Sequence, residues 1–190
     1  MPDKNKKRDI FNSYISLVER CKRQERAAQR ELFERLSVKM FPVCLRYVGD
    51  REKAKDVLQD GFITLFAKLE DYRGDGFFEG WARRIFVTAA LMYLRKTDVL
   101  RQAAQIDNEA LQAEPLLKLE QEETAHLDAD RIMELIMSMP AGFRTVFNLY
   151  AIEGFSHKEI AEMLNLSEGG SRSQLSRARA WLQERLKQKK

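Results

Sequence analysis

Apolar residues recur along most of this chain at intervals of three and four, the spacing that gathers them on one side of an α-helix. Ile10, Phe11, Tyr14, Ile15, Val18 and Cys21 form the first such run, and Leu32, Phe33, Leu36, Met40, Val43, Cys44 and Tyr47 the second. Pro42 either kinks that second run or opens a new helix. Gly49 and Asp50 end the element and cap the next. There Val57, Leu58, Phe62, Leu65, Phe66 and Leu69 supply a broad core face, while Asp56, Gln59, Asp60 and Ile63 line up on the other side. From Asp71 to Gly80 glycines mix with aromatic and charged residues, a loop composition. From Trp81 a helix is predicted to run to Lys96. Its inward stripe is read as Phe78, Trp81, Ile85, Ala89 and Met92, and its narrow polar stripe as Arg84, Thr88 and Arg95. Nearly every other position on it is apolar.

A second group of helices follows. Ile132, Leu135, Ile136 and Met139 mark an amphipathic helix stopped by Pro140, and Phe143, Val146, Phe147 and Tyr150 mark another that ends near Gly154. Ser156 starts a third. Its hydroxyl is placed to accept from the Glu159 amide while the Glu159 carboxylate reaches back to the Ser156 amide, a capping box with about 1 kcal/mol at the cap residue. Ile160, Ala161 and Leu164 face inward on this helix. After Asn165 and Leu166, Ser167 is the next N-cap, so a fourth helix begins shortly after the third stops, with the spacing of a helix-turn-helix. On the fourth helix Ser171, Leu175, Ala178, Leu182 and Leu186 align against the core, and Arg172, Ser173, Ser176, Arg177 and Ala180 turn outward. A short, polar, cationic strip of this kind suits a major groove, its guanidinium groups reading guanine edges or gripping phosphates. Arg179, beside the buried stripe, is either part of that strip or a structural ion-pair partner. Gly169 and Gly170 either leave the first-turn amides open to phosphate oxygens or fray the turn, at roughly 1 kcal/mol each relative to alanine.

Composition agrees with an all-α chain. Leu, Ala, Glu, Lys, Arg and Gln dominate, and nine glycines and four prolines in 190 residues leave helix propensity high nearly everywhere. A hydrophobic content of 44% with 33% charge describes a soluble chain able to bury a core. The net charge of +4 is unevenly spread: acids crowd the stretch from Asp107 to Asp130 against Lys118, and cations crowd the stretch from Arg172 to Lys190. With Pro115 inside it and no clean periodicity, 97–127 reads as a flexible acidic linker, and Leu116 to Leu127 also fits a solvated helix face. The expected organisation is two small helical domains, 1–96 and 128–190, joined by that linker, the second a four-helix helix-turn-helix domain. Cys21 and Cys44 sit in apolar helical patterns without metal-ligand spacing and read as buried thiols in a reducing compartment. No run approaches the ~18 apolar residues of a membrane span, and MPDKNKKRDI lacks the apolar stretch of a secretory signal. The expectation is a cytoplasmic protein without direct membrane insertion. His126 lies in the linker and His157 beside a helix cap, so no His–carboxylate cluster is assembled and no catalytic residue, metal ligand or cofactor is expected; an enzyme holding a metal on Asp56 and Asp60 would need such a cluster.

Tyr72, Arg73, Phe77, Arg83, Arg84, Arg95 and Lys96 surround the glycine-rich loop with what unpaired bases require: flat rings for stacking, at about 1–3 kcal/mol per base, and cations for the backbone. Phe78 and Trp81 fit either that platform or the core. Asp56 and Asp60, one turn apart, form either a solvated face or a docking surface for a basic partner. Taken in order, KDVLQDGFITLF, DYRGDGFFEGW, RRIFVTAALMYLRK and MPAGFRTVFNLYAIEGFSHKEIAEMLNLSEGGSRSQLSRARAWL resemble a bacterial RNA polymerase sigma factor of the extracytoplasmic-function (ECF) group. The resemblance spans roughly 10–96 as region 2 and 128–187 as region 4.

That resemblance implies roles by position. Asp56, Gln59, Asp60 and Phe62 would dock on the clamp helices of the polymerase β′ subunit. Tyr72, Arg73, Phe77, Arg83, Arg84, Thr88, Tyr93, Arg95 and Lys96 would capture the melted non-template strand of the minus-ten element. Arg172, Ser173, Gln174, Ser176 and Arg177 would read the minus-thirty-five element. Core RNA polymerase, through its β′ and β subunits, promoter DNA and an anti-sigma factor are the implied partners, and the acidic linker would thread toward the active-site and RNA-exit channels. The implied function is to direct core polymerase to specific promoters and help melt them. Where the family usually has Gly-Thr-Val-Lys-Ser-Arg-Leu, this chain has Gly169-Gly170-Ser171-Arg172-Ser173-Gln174-Leu175. The alternative is a stand-alone helix-turn-helix regulator that binds DNA as a dimer, which would need a ligand pocket or a dimer helix.

Overall fold

The computed structural model describes residues 14–97 and 129–187, with no strand among them. The chain divides into two compact units, Met1–Leu45 with Arg51–Tyr93 and Arg46–Asp50 with Leu94–Lys190. The acidic linker, His126 and the first apolar positions, Ile10 and Phe11, lie outside the described residues.

α1, described over 14–22, is followed by α2 (Arg26–Val48), α3 (Arg51–Ala67), a short 3-10 turn (Leu69–Asp71) and α4 (Phe78–Lys96); the first unit holds these as far as Leu45 of α2 and Tyr93 of α4. The break between α1 and α2 falls at Gln24, which takes a left-handed φ of 63°. Pro42 sits inside α2 and opens no helix of its own. The carbonyl it deprives of a partner is that of Val38, an exposed position where water can take the place of the missing N–H. Gly49 turns the chain into α3 with φ +76°.

The core gathers Leu17, Val18 and Cys21 from α1, Leu32, Leu36, Met40, Val43 and Cys44 from α2, and Val57, Phe62 and Leu65 from α3. Cys21 and Cys44 are buried free thiols, and burial pushes the Cys21 thiol up to about 11, so it stays protonated and unreactive. Phe62 is the centre of an aromatic cluster, 4.5 Å from Phe33 and edge-on to Phe86 at 5.0 Å. Beside it, α3 and α4 approach so closely at Gly61 that any Cβ there would run into the Phe86 ring.

That close approach decides which side of α4 faces inward. Ala82, Phe86, Val87, Ala90, Leu91 and Leu94 are buried, small residues alternating with large. The expected inward stripe is corrected accordingly. Phe78 is buried, but Trp81, Ile85 and Ala89 are half-buried and Met92 is 64% exposed.

The second unit contains α5 (Ala129–Ser138), α6 (Ala141–Phe147), a π-helical turn (Asn148–Ile152), α7 (His157–Leu164) and α8 (Glu168–Lys187). Ile136, Met139, Val146, Leu149, Ile160, Ala161, Leu175 and Ala178 are buried. Gly154, at φ +79°, turns the chain out of the π segment. The capping box forms as the sequence predicts: the Glu159 amide donates to Ser156 Oγ at 3.3 Å, and the Ser156 amide donates to the Glu159 carboxylate at 2.8 Å. Asn165 ends α7 in the left-handed region, and its amide and that of Leu166 both return to the Ala161 carbonyl. Ser167 then caps α8, accepting from the Gly170 amide at 2.9 Å. The first turn of α8 is thus helical and capped.

Candidate nucleic-acid interface

The loop before α4 is held from inside. Tyr72 is buried, its ring edge-on to Phe78 at 5.0 Å and 5.4 Å from Trp81, and its hydroxyl donates to the Gly76 carbonyl at 2.6 Å. Burial, and after it the Asp75 charge, push its phenol above the ordinary tyrosine range. Lys22 of α1 donates to the Tyr72 carbonyl at 3.1 Å. Gly74 and Gly76, at φ +81° and +109°, supply conformations that a side chain would strain. With Tyr72 as the anchor, Arg73, Asp75 and Phe77 are left on the surface, and Phe77 is 62% exposed. An ion pair between Lys39 of α2 and Glu79 holds the start of α4.

Next to the loop lies a groove of about 310 Å³ lined by Thr64, Lys68, Asp71, Trp81, Arg84, Ile85, Thr88, Ala89 and Met92. It is the apolar stripe of α4 that the core leaves over, flanked by two cations, Lys68 just after α3 and Arg84 on α4, with the Asp71 carboxylate also in its lining. The Thr88 hydroxyl donates to the Arg84 carbonyl at 2.8 Å. Arg95 and Lys96 are exposed at the C-terminal end of α4, and Arg83 and Tyr93 are half-buried. On α3, Asp56, Gln59, Asp60 and Ile63 are all exposed, forming an acidic strip with an apolar edge.

On α8, Ser171, Leu175 and Ala178 of the predicted stripe are buried, whereas Leu182 and Leu186 are half-buried and Gln183 is buried beside them; Arg172 is exposed, and Ser173, Ser176 and Arg177 are half-buried. Arg172 pairs with Glu168 one turn earlier at 3.1 Å. Arg179 forms no ion pair with a carboxylate among the described contacts; its guanidinium lies over the Tyr150 ring at 5.9 Å.

The Sigma-70 region 2 family matches residues 32–99 and the Sigma-70, region 4 family matches residues 129–182. The RNA polymerase sigma-H factor of Pseudomonas aeruginosa is 31% identical over 171 residues, spanning 86% of this chain and 88% of that one. The ECF RNA polymerase sigma-E factor of Escherichia coli K12 is 30% identical over 172 residues, with the same two coverages, 86% and 88%. The chain belongs to the ECF sigma factors. A solved structure of the sigma factor RpoE with the anti-sigma factor NepR from Bartonella quintana covers 83% of this chain and 98% of that one, at 22% identity and a TM-score of 0.48.

As an ECF sigma factor, the protein directs RNA polymerase to promoters. Region 2 and region 4 in this order also decide against the stand-alone regulator. Within the sigma factor, three of the expected site residues are placed differently by the structure. Phe62 is 4% exposed at the centre of the aromatic cluster, so it shapes α3 and offers no surface to a partner. Tyr72 anchors the loop from within, which leaves Phe77 as its exposed ring. Gln174 is 8% exposed, on the flank of the core stripe between Ser171 and Ala178. The groove-lining Thr64, Lys68, Asp71, Ile85, Ala89 and Met92 carry no expectation of a site in the sequence, and Trp81 only as the alternative to a core position. Their signal was an α4 that is apolar nearly all round, which leaves it more apolar surface than one core contact covers. Among the described residues no group of three or more His, Cys, Asp or Glu is placed to hold a metal ion, and no helix is long and apolar enough to cross a membrane.

Proposed function

We propose that the surfaces of this sigma factor divide three tasks. Asp56, Gln59 and Asp60, with Ile63 as an apolar edge, dock on a basic helical surface of core polymerase. Arg73, Phe77, Arg84 and Thr88, around the groove of α4, hold bases of the unpaired strand, with Arg83, Tyr93, Arg95 and Lys96 along its backbone path. Arg172, Ser173, Ser176 and Arg177 face the upstream duplex.

The observation that carries the reading is the groove itself. It joins the apolar side chains of Trp81, Ile85, Ala89 and Met92 to the cations Lys68 and Arg84, with Asp71 also in its lining, and adjoins a loop anchored by the buried Tyr72. The Trp81 ring suits stacking on a base of any sequence, and Lys68 and Arg84 suit the phosphates that join the bases. Free sigma factor would also expose Ile63, Phe77 and Met92, apolar surface that an anti-sigma protein would cover while competing with polymerase and DNA.

The test is promoter opening by the holoenzyme on a fragment with a mapped start site. Phe77→Ala combined with Arg84→Ala is expected to lower permanganate reactivity of the unpaired thymines by ~tenfold or more, the equivalent of one lost stacking contact, while core polymerase still co-purifies. Undiminished reactivity would remove the groove from the reading.

A further inference from the structure

His157 takes no part in the three surfaces above, yet its ring is held on two sides. It is the first residue of α7 and half-buried. On one side Nδ1 lies 2.9 Å from Oγ of Ser171, a fully buried residue of α8. On the other the ring stacks on Tyr150, with centroids 4.5 Å apart and planes 21° from parallel. Tyr150 belongs to the π-helical turn, a wider winding that occurs often at functional sites, and the Arg179 guanidinium lies over the same tyrosine ring.

The charged groups acting on the imidazole come from α8: Arg172 and Arg179, opposed by Glu168. Glu168 is paired to Arg172, so its charge is already shared. On α7 itself Glu159 is engaged with Ser156 in the capping box, and the N-terminal end of the helix adds partial positive charge. Burial first, then Arg172 and Arg179, hold the imidazole below the ordinary histidine range. In the free protein at neutral pH the ring is therefore neutral, although it sits among cations.

We propose that protonation of His157 is linked to duplex binding: the ring pins α8 to α7 in its neutral form and becomes an imidazolium when duplex DNA closes over Arg172 and Arg179. The proposal rests on the region-4 unit binding duplex DNA. Phosphates would neutralise the two guanidinium charges that oppose the ring proton and add attraction of their own. The pin survives the proton, because the Ser171 hydroxyl rotates to accept from a protonated Nδ1 as readily as it donates to a neutral one. The bound state holds its proton to higher pH than the free state, so binding takes up a proton and affinity rises as pH falls between the two midpoints. Relative to the unfolded chain the sign is opposite. The folded, DNA-free unit loses stability as pH falls through the ordinary histidine range, since the unfolded histidine binds the proton more tightly.

Two measurements test this. The chain has two histidines, so in full-length protein carrying His126→Gln the imidazole proton resonances report His157 alone. A midpoint below ~6.5 is expected, and one at or above it overturns the proposal, whatever the behaviour of any variant at His157. The second measurement is binding of the reconstituted holoenzyme to a linear promoter fragment with a mapped start site, at pH 8 and pH 6. His157→Gln keeps a hydrogen-bonding side chain but cannot titrate. Wild type is expected to gain about fivefold in affinity over that interval beyond any gain of the variant; parallel profiles overturn the proposal. No promoter binding by wild type at either pH would overturn the region-4 reading as well, which separates that failure from the failure of the histidine alone.

Discussion

Asp60 and Phe62 stand two residues apart on α3 and face opposite ways, so their substitutions should fail differently. Phe62 fills the space between Phe33 and Phe86, and Phe62→Ala should cost about 3–5 kcal/mol of stability, read as a lower denaturation midpoint. Asp60→Arg with Asp56→Arg acts on an exposed strip. Its melting should be close to wild type while co-purification with core polymerase falls; unchanged co-purification would remove the docking role from α3. On α8, Arg177→Ala should weaken promoter binding by about 1–3 kcal/mol and relax preference at one upstream position if it pairs with guanine. A uniform loss over all sequences, with the salt slope reduced by about one, would mark a phosphate contact instead.

At the scale of elements, legibility followed the range of the interaction. The capping box of Ser156 and Glu159, the Ser167 cap and the Ser171-Leu175-Ala178 stripe are local, and each could be read from spacing alone. The rotation of α4 could not. That helix carries apolar residues on several sides, and the choice among them is made by Gly61, on another helix, admitting the Phe86 ring. Tyr72 lies inward for a related reason: a loop aromatic next to cations suits either a binding platform or an anchor, and its packing against Phe78 and Trp81 makes it an anchor. Gln174 is likewise one position from the outward strip and one from the core.

Two glycines test this level. Gly61→Ala should destabilise region 2 by about 1–3 kcal/mol, because the Phe86 ring must move. Gly169 has open space at its Cβ position apart from Ser167 Oγ at 3.9 Å. Gly169→Ala should therefore raise stability by up to about 1 kcal/mol through helix propensity. If the bare first turn admits phosphate, promoter affinity should fall in the same variant; a rise in both would make the glycine a simple propensity cost.

For the whole molecule, energetics require a partner. Opening about a dozen base-pair steps at a mean of roughly 1.4 kcal/mol costs some 17 kcal/mol, whereas one or two captured bases supply about 1–3 kcal/mol each. The free protein should leave duplex promoter closed, and only the holoenzyme should open it. The Sigma-70 region 2 and region 4 matches fall on separate stretches, 32–99 and 129–182, and the proposed single-stranded and duplex contacts are divided between them. The most direct measurement is run-off transcription from genomic fragments with core RNA polymerase, with and without the purified chain. New start sites sharing upstream sequence elements should appear only when both are present. A chain that neither binds the core enzyme at low salt nor creates any start site would contradict its role as a promoter-directing subunit.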